Sequence, residues 1–465
     1  MNTQLRTWIA AVSILLVVPW AWAQREGAAT AVGASGQQEV PAEEPKATIA
    51  PDSRPLSGAE ELRVETPGRT RSYVVPSLRL AAYGDTNRLI VAAGKGGAEM
   101  TGSVIGGLAL QRVTRKNEFV LDYSGGGMIY ARNSELNAMA HQLGFSETYM
   151  GRRWGVMFGD RLSYLPESTF GFGGFGPPMA ATGGFGGGLG NWNPFFDPGQ
   201  TLFSGRGSRI ANSALAQIQY NASSRTSLTF TGAYGVLRFR EPGYVESNSA
   251  FGTVGYNYAL TRRDAIAIIY GLALIRFQNA DFRMDNHYMQ LAYGRRLTGR
   301  LAFQIAGGPQ YGVFRSAALG SDHQVHWNAH SALQYQLGRT SLDMSYAHYT
   351  TSGSGLLFGA RTDYFAISAG WRLTRNWSWS VGPGYARNAR LQPTAVGAPF
   401  SFNSAYASTG LSRHLGRYAG LFFHYSLQQQ WSDAQNPTGI DTGSSLVRHL
   451  FGVGFDWHGR GLGLD

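Results

Sequence analysis

The 465-residue chain has no cysteine. That absence excludes disulfide frameworks, zinc-thiolate centres and thiol nucleophiles. Charge is scarce as well: 15% of residues are Asp, Glu, Lys or Arg, where a soluble domain usually carries about a quarter. Beyond the N-terminus no segment approaches the ~20 continuous apolar residues that a membrane-crossing helix needs. Helical bundles in a membrane are therefore excluded, and so is an ordinary charged, soluble surface.

The N-terminus supplies the one apolar run. A basic start, "MNTQLR", precedes "WIAAVSILLVVPW", and "AWA" at Ala21–Ala23 has the small-x-small form of a cleavage site. This pattern predicts a secretory signal peptide over residues 1–23, with Gln24 the first mature residue. Without a cysteine after it, lipid anchoring through a lipobox is excluded. Residues 24–72 are rich in Ala, Gly, Pro and Glu and almost free of aromatics ("VPAEEPKATIAPDSRPLSGAEE"). Such a stretch buries too little apolar area to offset chain entropy, which predicts a disordered periplasmic leader able to recruit a periplasmic partner.

What the chain has in quantity is glycine, 62 residues, and aromatics at 13%. It also has a repeat. "LTRRDA" from Leu260, "LTGRLA" from Leu297, "LGRTSL" from Leu337, "LTRNWS" from Leu373 and "LGRYAG" from Leu415 recur at intervals of 36 to 42 residues. Weaker versions stand near Val113, Gly151 and Ala222. A propeller blade of this length would hold four short strands. Here each interval holds two long alternating runs around one polar loop, as in "TSLDMSYAHY", "TTSGSGLLFGARTD" and "YFAISAGWRL".

Alternation runs through these segments with period two. Phe365, Ile367, Ala369, Trp371 and Leu373 oppose Tyr364, Ala366, Ser368, Gly370 and Arg372. Trp377, Trp379, Val381 and Tyr385 oppose Ser378, Ser380, Gly382 and Gly384. The runs last about 12 to 14 residues, where a globular strand averages 5 or 6. At ~3.3 Å per residue and a tilt near 40°, such a strand climbs about 30 Å, enough for an outer-membrane apolar band of ~25 Å. With lipid against one face, no second sheet is needed.

In these features the chain resembles a Gram-negative outer-membrane β-barrel of the porin-like kind, over about Ser77 to His458. The last strand, "SSLVRHLFGVGFDW", carries Val447, Phe451, Val453, Phe455 and Trp457 on one face. It is similar to the C-terminal signal read by the barrel-assembly machinery, except that "HGRGLGLD" follows the final aromatic. The expected fold is all-β: a transmembrane, up-and-down antiparallel barrel over residues 73–458, with a tail at 459–465. Eight tight turns pair sixteen strands, and one strand at each end makes eighteen. Sixteen is the alternative, because "SVIGGLALQ" and "VLDYSGGGMIY" are broken by glycine. Closure removes the two edges that lipid would not tolerate.

The tight turns belong to the periplasmic rim, with Trp154, Tyr258, Trp371, Trp377 and Tyr418 as an aromatic girdle beside the lipid. Residues 1–72 hold 7 Lys plus Arg and 8 Asp plus Glu, which leaves 33 and 21 to the rest. Much of that basic surplus sits in the turns (Arg115, Lys116, Arg152, Arg153, Arg262, Arg263), at headgroup height. Nucleic acid is not an expected partner; outer-membrane lipid is.

Clean alternation turns Asp122, Asp343, Arg372, Arg448 and Asp456 inward, together with His326 and His330. These residues either impose a transverse field on passing solutes or form wall-to-wall salt bridges. "HWNAH" has helical metal spacing, but on a strand its two histidines lie about 13 Å apart, too far for one ion. The long Gly/Phe-rich outward loop at 166–207 contains Phe172, Phe175, Phe185 and Trp192. It either narrows the pore, as the third loop of general porins does, or decorates the mouth. Its Gly171, Gly173 and Gly176 spell GxGxxG without a Rossmann strand, and "SGSG" at Ser354 lacks a nucleophile elbow. No catalytic residue, cofactor or metal is implied. The expected function is passive diffusion of small hydrophilic solutes through an outer-membrane channel. Two alternatives are a barrel component of an export or surface-assembly apparatus, for polysaccharide for example, and an outer-membrane hydrolase.

Overall fold

In the computed structural model the described residues are 55–59, 72–87, 97–166, 201–202, 208–278, 280–316, 320–391, 401–432 and 445–463. All belong to the compact unit Gly33–Asp465. The first strands are β1 (Tyr73–Asp85), β2 (Glu99–Val113), β3 (Asn117–Tyr130), β4 (Ala138–Met150), β5 (Trp154–Leu165) and β6 (Arg209–Asn221). Next come β7 (Thr226–Phe239), β8 (Ser247–Ala259), β9 (Asp264–Phe277), β10 (Phe282–Thr298), β11 (Leu301–Ser316) and β12 (Gly320–Leu337). The last are β13 (Thr340–Thr351), β14 (Ala360–Arg372), β15 (Trp377–Arg390), β16 (Ser401–His414), β17 (Ala419–Ser432) and β18 (Ser445–His458).

Each strand pairs antiparallel with the next, and β1 pairs with β18 from Ser77↔His458 to Asp85↔Leu450. The sheet is thus a closed barrel of eighteen long strands, not sixteen. The glycine-broken segments are whole strands, β2 and β3. Beyond β18, a two-residue β19 (Leu462–Gly463) pairs with Tyr73–Val74 and prolongs the seam.

All eight repeated motifs form the short turns of one rim. Their chemistry explains the repeat. In four of them a Thr or Ser hydroxyl accepts the backbone N–H three residues on: Thr114 from Asn117 (3.0 Å), Ser223 from Thr226 (3.1 Å), Thr261 from Asp264 (3.0 Å) and Thr374 from Trp377 (3.2 Å). In two others the chain turns through left-handed backbone, at Gly338 (φ 51°) and Gly416 (φ 88°). These are two solutions to one problem, reversing an antiparallel strand in a few residues without orphaning its amides.

The opposite rim carries the longer connections, as at residues 166–208 and 240–246, except on one side. Strands β10, β11 and β12 run to 17, 16 and 18 residues, so the wall is tallest there and their outward connections are as short as the turns.

The outward face is apolar. Ile129, Leu291 and Val325 are 63%, 63% and 73% exposed, and Val104, Ile268 and Phe451 stand beside them in the same parity. Inward positions are Ser, Thr, Asn and Gln, with Thr229, Ser404, Ser426 and Gln430 wholly buried. Such a polarity requires hydrocarbon outside. At the tight-turn rim the girdle takes shape: Trp154 packs on Tyr220 (4.5 Å), Trp371 stacks on Trp379 (4.8 Å), and Arg413 lies over Trp377 (5.4 Å). Four outward tyrosines hydrogen-bond a histidine on the next strand: Tyr123–His141 (3.0 Å), Tyr270–His287 (2.8 Å), Tyr311–His323 (2.6 Å) and Tyr425–His449 (3.0 Å). Each pair supplies internally the partner that lipid cannot.

Glycines mark where neighbouring strands press together. A Cβ on Gly308 would strike the Met289 carbonyl oxygen, whereas one on Gly252 would meet nothing within 4 Å. Gly308→Val is therefore expected to abolish the heat-modifiable, folded band of refolded protein in gel electrophoresis, and Gly252→Val to retain it.

Candidate functional site

The lumen is the candidate site, and its wall is built from the inward parity of the strands. Register turns each of the seven predicted residues inward, but it does not gather them into one constellation. Asp343 faces its neighbours Gln334 and Ser368, Asp122 stands opposite Ala109 and Gly144, and Arg372 closes β14 opposite Ser378. Two of the seven are committed to salt bridges across the closing seam. Arg448 clasps Asp85 through its Nε (3.0 Å) and a terminal nitrogen; the side chains are 4% and 2% exposed. Arg79 donates to Asp456 at 2.5 Å and also lies over the Phe422 ring at 5.2 Å. Both pairs join β1 to β18, so they fasten the barrel where its first and last strands meet.

Inward charge is unevenly distributed around the wall. Glu99, Glu118 and Asp122 stand on β2 and β3 beside the seam pairs Arg448–Asp85 and Arg79–Asp456, whereas Arg161 and Arg209 stand on β5 and β6 and Arg372 and Arg390 on β14 and β15. His326 is held by Gln324 (2.8 Å) and approached by Arg361 (3.4 Å). His330 is 1% exposed and lies between Ala306 and Ala347. Among the described residues no group of His, Asp or Glu could hold a metal ion.

Among the described residues, the chain that crosses the mouth belongs to a segment that reads in the sequence only as a loop. Residues 352–359, between β13 and β14, fold into the mouth. Leu356 and Leu357 pack with Leu237 and Phe239 of β7, Tyr244 of the next loop and Phe402 of β16. Phe358 meets Phe277 and Phe282 of β9 and β10, at 5.6 and 6.2 Å between rings. Strands β7 and β14 are seven places apart around the wall, so the loop spans the lumen to touch both. Val245 N–H donates to the Gly355 carbonyl at 2.8 Å and fixes the crossing.

Backbone conformation explains the composition "SGSG". Gly353, Ser354, Gly355 and Gly359 all have positive φ, between 55° and 87°. At Gly355 any Cβ would enter the Phe239 ring, so the chain needs glycine both to turn and to approach. The Ser354 hydroxyl is 3.1 Å from Thr201 N–H, and Thr201 in turn bonds Asn388 on β15 (2.6 Å). Ser354 thus braces the lid. Tyr244 stacks on Phe239 at 4.7 Å, and burial together with the Glu241 carboxylate pushes its phenol above the ordinary tyrosine range.

Of the long loop proposed as the constriction, Thr201 and Leu202 do enter the mouth. Phe172, Phe175, Phe185 and Trp192 lie outside the described residues, as do residues 1–54. The leader brings a further difference. Pro55–Ala59, expected to be disordered, are buried inside the tight-turn half of the barrel.

No protein-family model matches the chain, and comparison with curated protein sequences gave no match. Among solved structures, OccK2 (OpdF) of Pseudomonas aeruginosa aligns at 10% identity and TM-score 0.40, over 83% of this chain and 98% of its own. OpdQ of the same organism aligns at 8% and 0.42, over 85% and 100%. OccAB3 of Acinetobacter baumannii aligns at 11% and 0.41, over 83% and 99%. The barrel assignment rests on this chain's own strand register and not on those likenesses.

The seam pairs generate a sharp expectation. Arg448→Ala strands the Asp85 carboxylate in a dry wall and should cost about 3–5 kcal/mol in urea unfolding of the refolded barrel. Arg448→Met combined with Asp85→Leu should recover most of that loss.

Proposed function

We propose that the chain is an outer-membrane channel that admits small hydrophilic solutes by passive diffusion. One observation carries the reading: a closed eighteen-strand wall whose apolar side faces out and whose amide- and hydroxyl-rich side faces in. A wall of that polarity separates hydrocarbon from water, and eighteen strands enclose a lumen wide enough for solute. Outer-membrane lipid is its surrounding solvent, and the barrel-assembly machinery its partner in biogenesis.

The wall chemistry narrows the class of solute. The seam charges neutralise one another in pairs, while acidic positions near β1 and arginines elsewhere give the interior a transverse polarity. Water and polyhydroxylated or zwitterionic solutes orient in such a field without being bound tightly. The apolar lid formed by Leu356, Leu357 and Phe358 sets the upper size limit. Passage through it requires either a slender solute or displacement of the loop.

Purified protein in a planar bilayer should give discrete conductance steps. Leu357→Ser combined with Phe358→Ser, which dissolves the lid's apolar contacts, should enlarge those steps severalfold. Silence of both the unaltered and the altered protein would overturn the channel reading.

A further inference from the structure

We propose that the inner wall of β5 to β11 carries a peptide-binding site whose occupant is the chain's own Pro55–Ala59, held there as a tethered plug. The proposal rests on the channel reading, and it concerns the end of the lumen opposite the lid.

The segment is gripped by backbone and side chain alike. Asn257 on β8 accepts from Ser57 N–H (3.1 Å) and from the Ser57 hydroxyl (3.1 Å), and its amide donates back to that hydroxyl (2.8 Å). The same amide is steadied by Thr229 Oγ1 at 3.2 Å and the Ser227 carbonyl at 3.4 Å. Gln217 on β6 accepts from Ala59 N–H at 2.6 Å, and Gln304 on β11 donates to the Leu56 carbonyl at 3.3 Å. Within the segment, Gly58 N–H returns to the Pro55 carbonyl at 3.0 Å, which closes a turn.

The wall is shaped to match. Leu56 lies among Ala267, Ile269, Ala292 and Ala306, and Ala59 among Met157, Leu215 and Ala233. At Gly255 a Cβ would fall on the Ser57 side chain, so that glycine leaves a notch for serine. Small wall residues make room, two amides read the backbone, and one notch reads the hydroxyl. Leu56, Ser57 and Ala59 are 4%, 4% and 0% exposed in consequence. The chemistry selected is a short turn of the form Leu-Ser-Gly-small.

Position makes the site obstructive. Asn257 is two residues from the end of β8, Gln304 three from the start of β11, and Ala267 three from the start of β9, all at the tight-turn rim. The chain enters β1 at the same rim, on a strand seven places from β8. Fourteen residue steps separate Ala59 from Tyr73, and at ~3.3 Å each they reach about 46 Å, enough to cross the lumen. Plug and lid therefore lie in series, at opposite ends of one passage.

The absence of cysteine makes the test direct. A Ser57→Cys/Asn257→Cys chain places the two thiols where hydroxyl and amide now touch. A disulfide should form on mild oxidation, seen as a shift in non-reducing gels of folded protein; in the Leu357→Ser/Phe358→Ser background, where the lid no longer limits, reducing it should raise bilayer conductance severalfold and reversibly. Gly255→Val and Leu56→Glu, which evict the segment without disturbing the wall's hydrogen bonds, should show the raised conductance constitutively. Failure of the cysteines to join in a folded barrel would overturn the site. A disulfide whose reduction leaves conductance unchanged would overturn the plug. Silence of every variant would contradict the channel reading instead, and the cross-link would still decide whether the wall holds the leader.

Discussion

Everything in this molecule depends on one constraint: inside hydrocarbon, a backbone amide has no partner except another backbone. An open sheet would leave two edges unpaired in a medium where each orphaned group costs several kcal/mol. Closure of β1 on β18 removes both edges, and two ion pairs, one of them fully buried, fasten that seam. The closing pair forms between strands more than 350 residues apart, as the Arg448–Asp85 separation of 363 shows. The local hairpins can form early, and the seam completes the circle.

Closure also explains the division of labour between the faces. Once every amide is paired within the sheet, side chains alone decide what each surface tolerates. Outside, even polar rings are joined, tyrosine to histidine, before they meet lipid. Inside, amides and hydroxyls dominate, and the larger apolar clusters among the described residues occur where chain crosses the lumen: the lid at one end and Pro55–Ala59 at the other.

The fold was legible in the sequence because its rules are local. Alternation gives the face of each residue, strand length gives the solvent, and a Thr or Gly before an Arg gives the reversal. Eight turns and eighteen strands follow from those signals, and so does the inward parity of Asp122, Asp343, Arg372, Arg448, Asp456, His326 and His330. The site was less legible because it is made by non-local crossings. Nothing in "SGSGLLF" announces that it traverses the lumen, although four positive-φ positions in eight residues demand a sharp inward fold. "PLSGA" sits in a stretch whose composition reads as disorder; its order comes from wall residues 158 to 248 positions away. Arg448 was found without Asp85, whose place at the end of β1 becomes visible only once the seam is closed.

The whole architecture requires that lipid cover the outward parity of the strands. Nitroxide labels at Val254, Ile268 and Phe451, in protein reconstituted into vesicles, measure it directly through relaxation by oxygen, which concentrates in hydrocarbon, against an aqueous nickel chelate. Oxygen access and chelate exclusion are expected at all three positions. Chelate access at those positions, in folded and reconstituted protein, would contradict it.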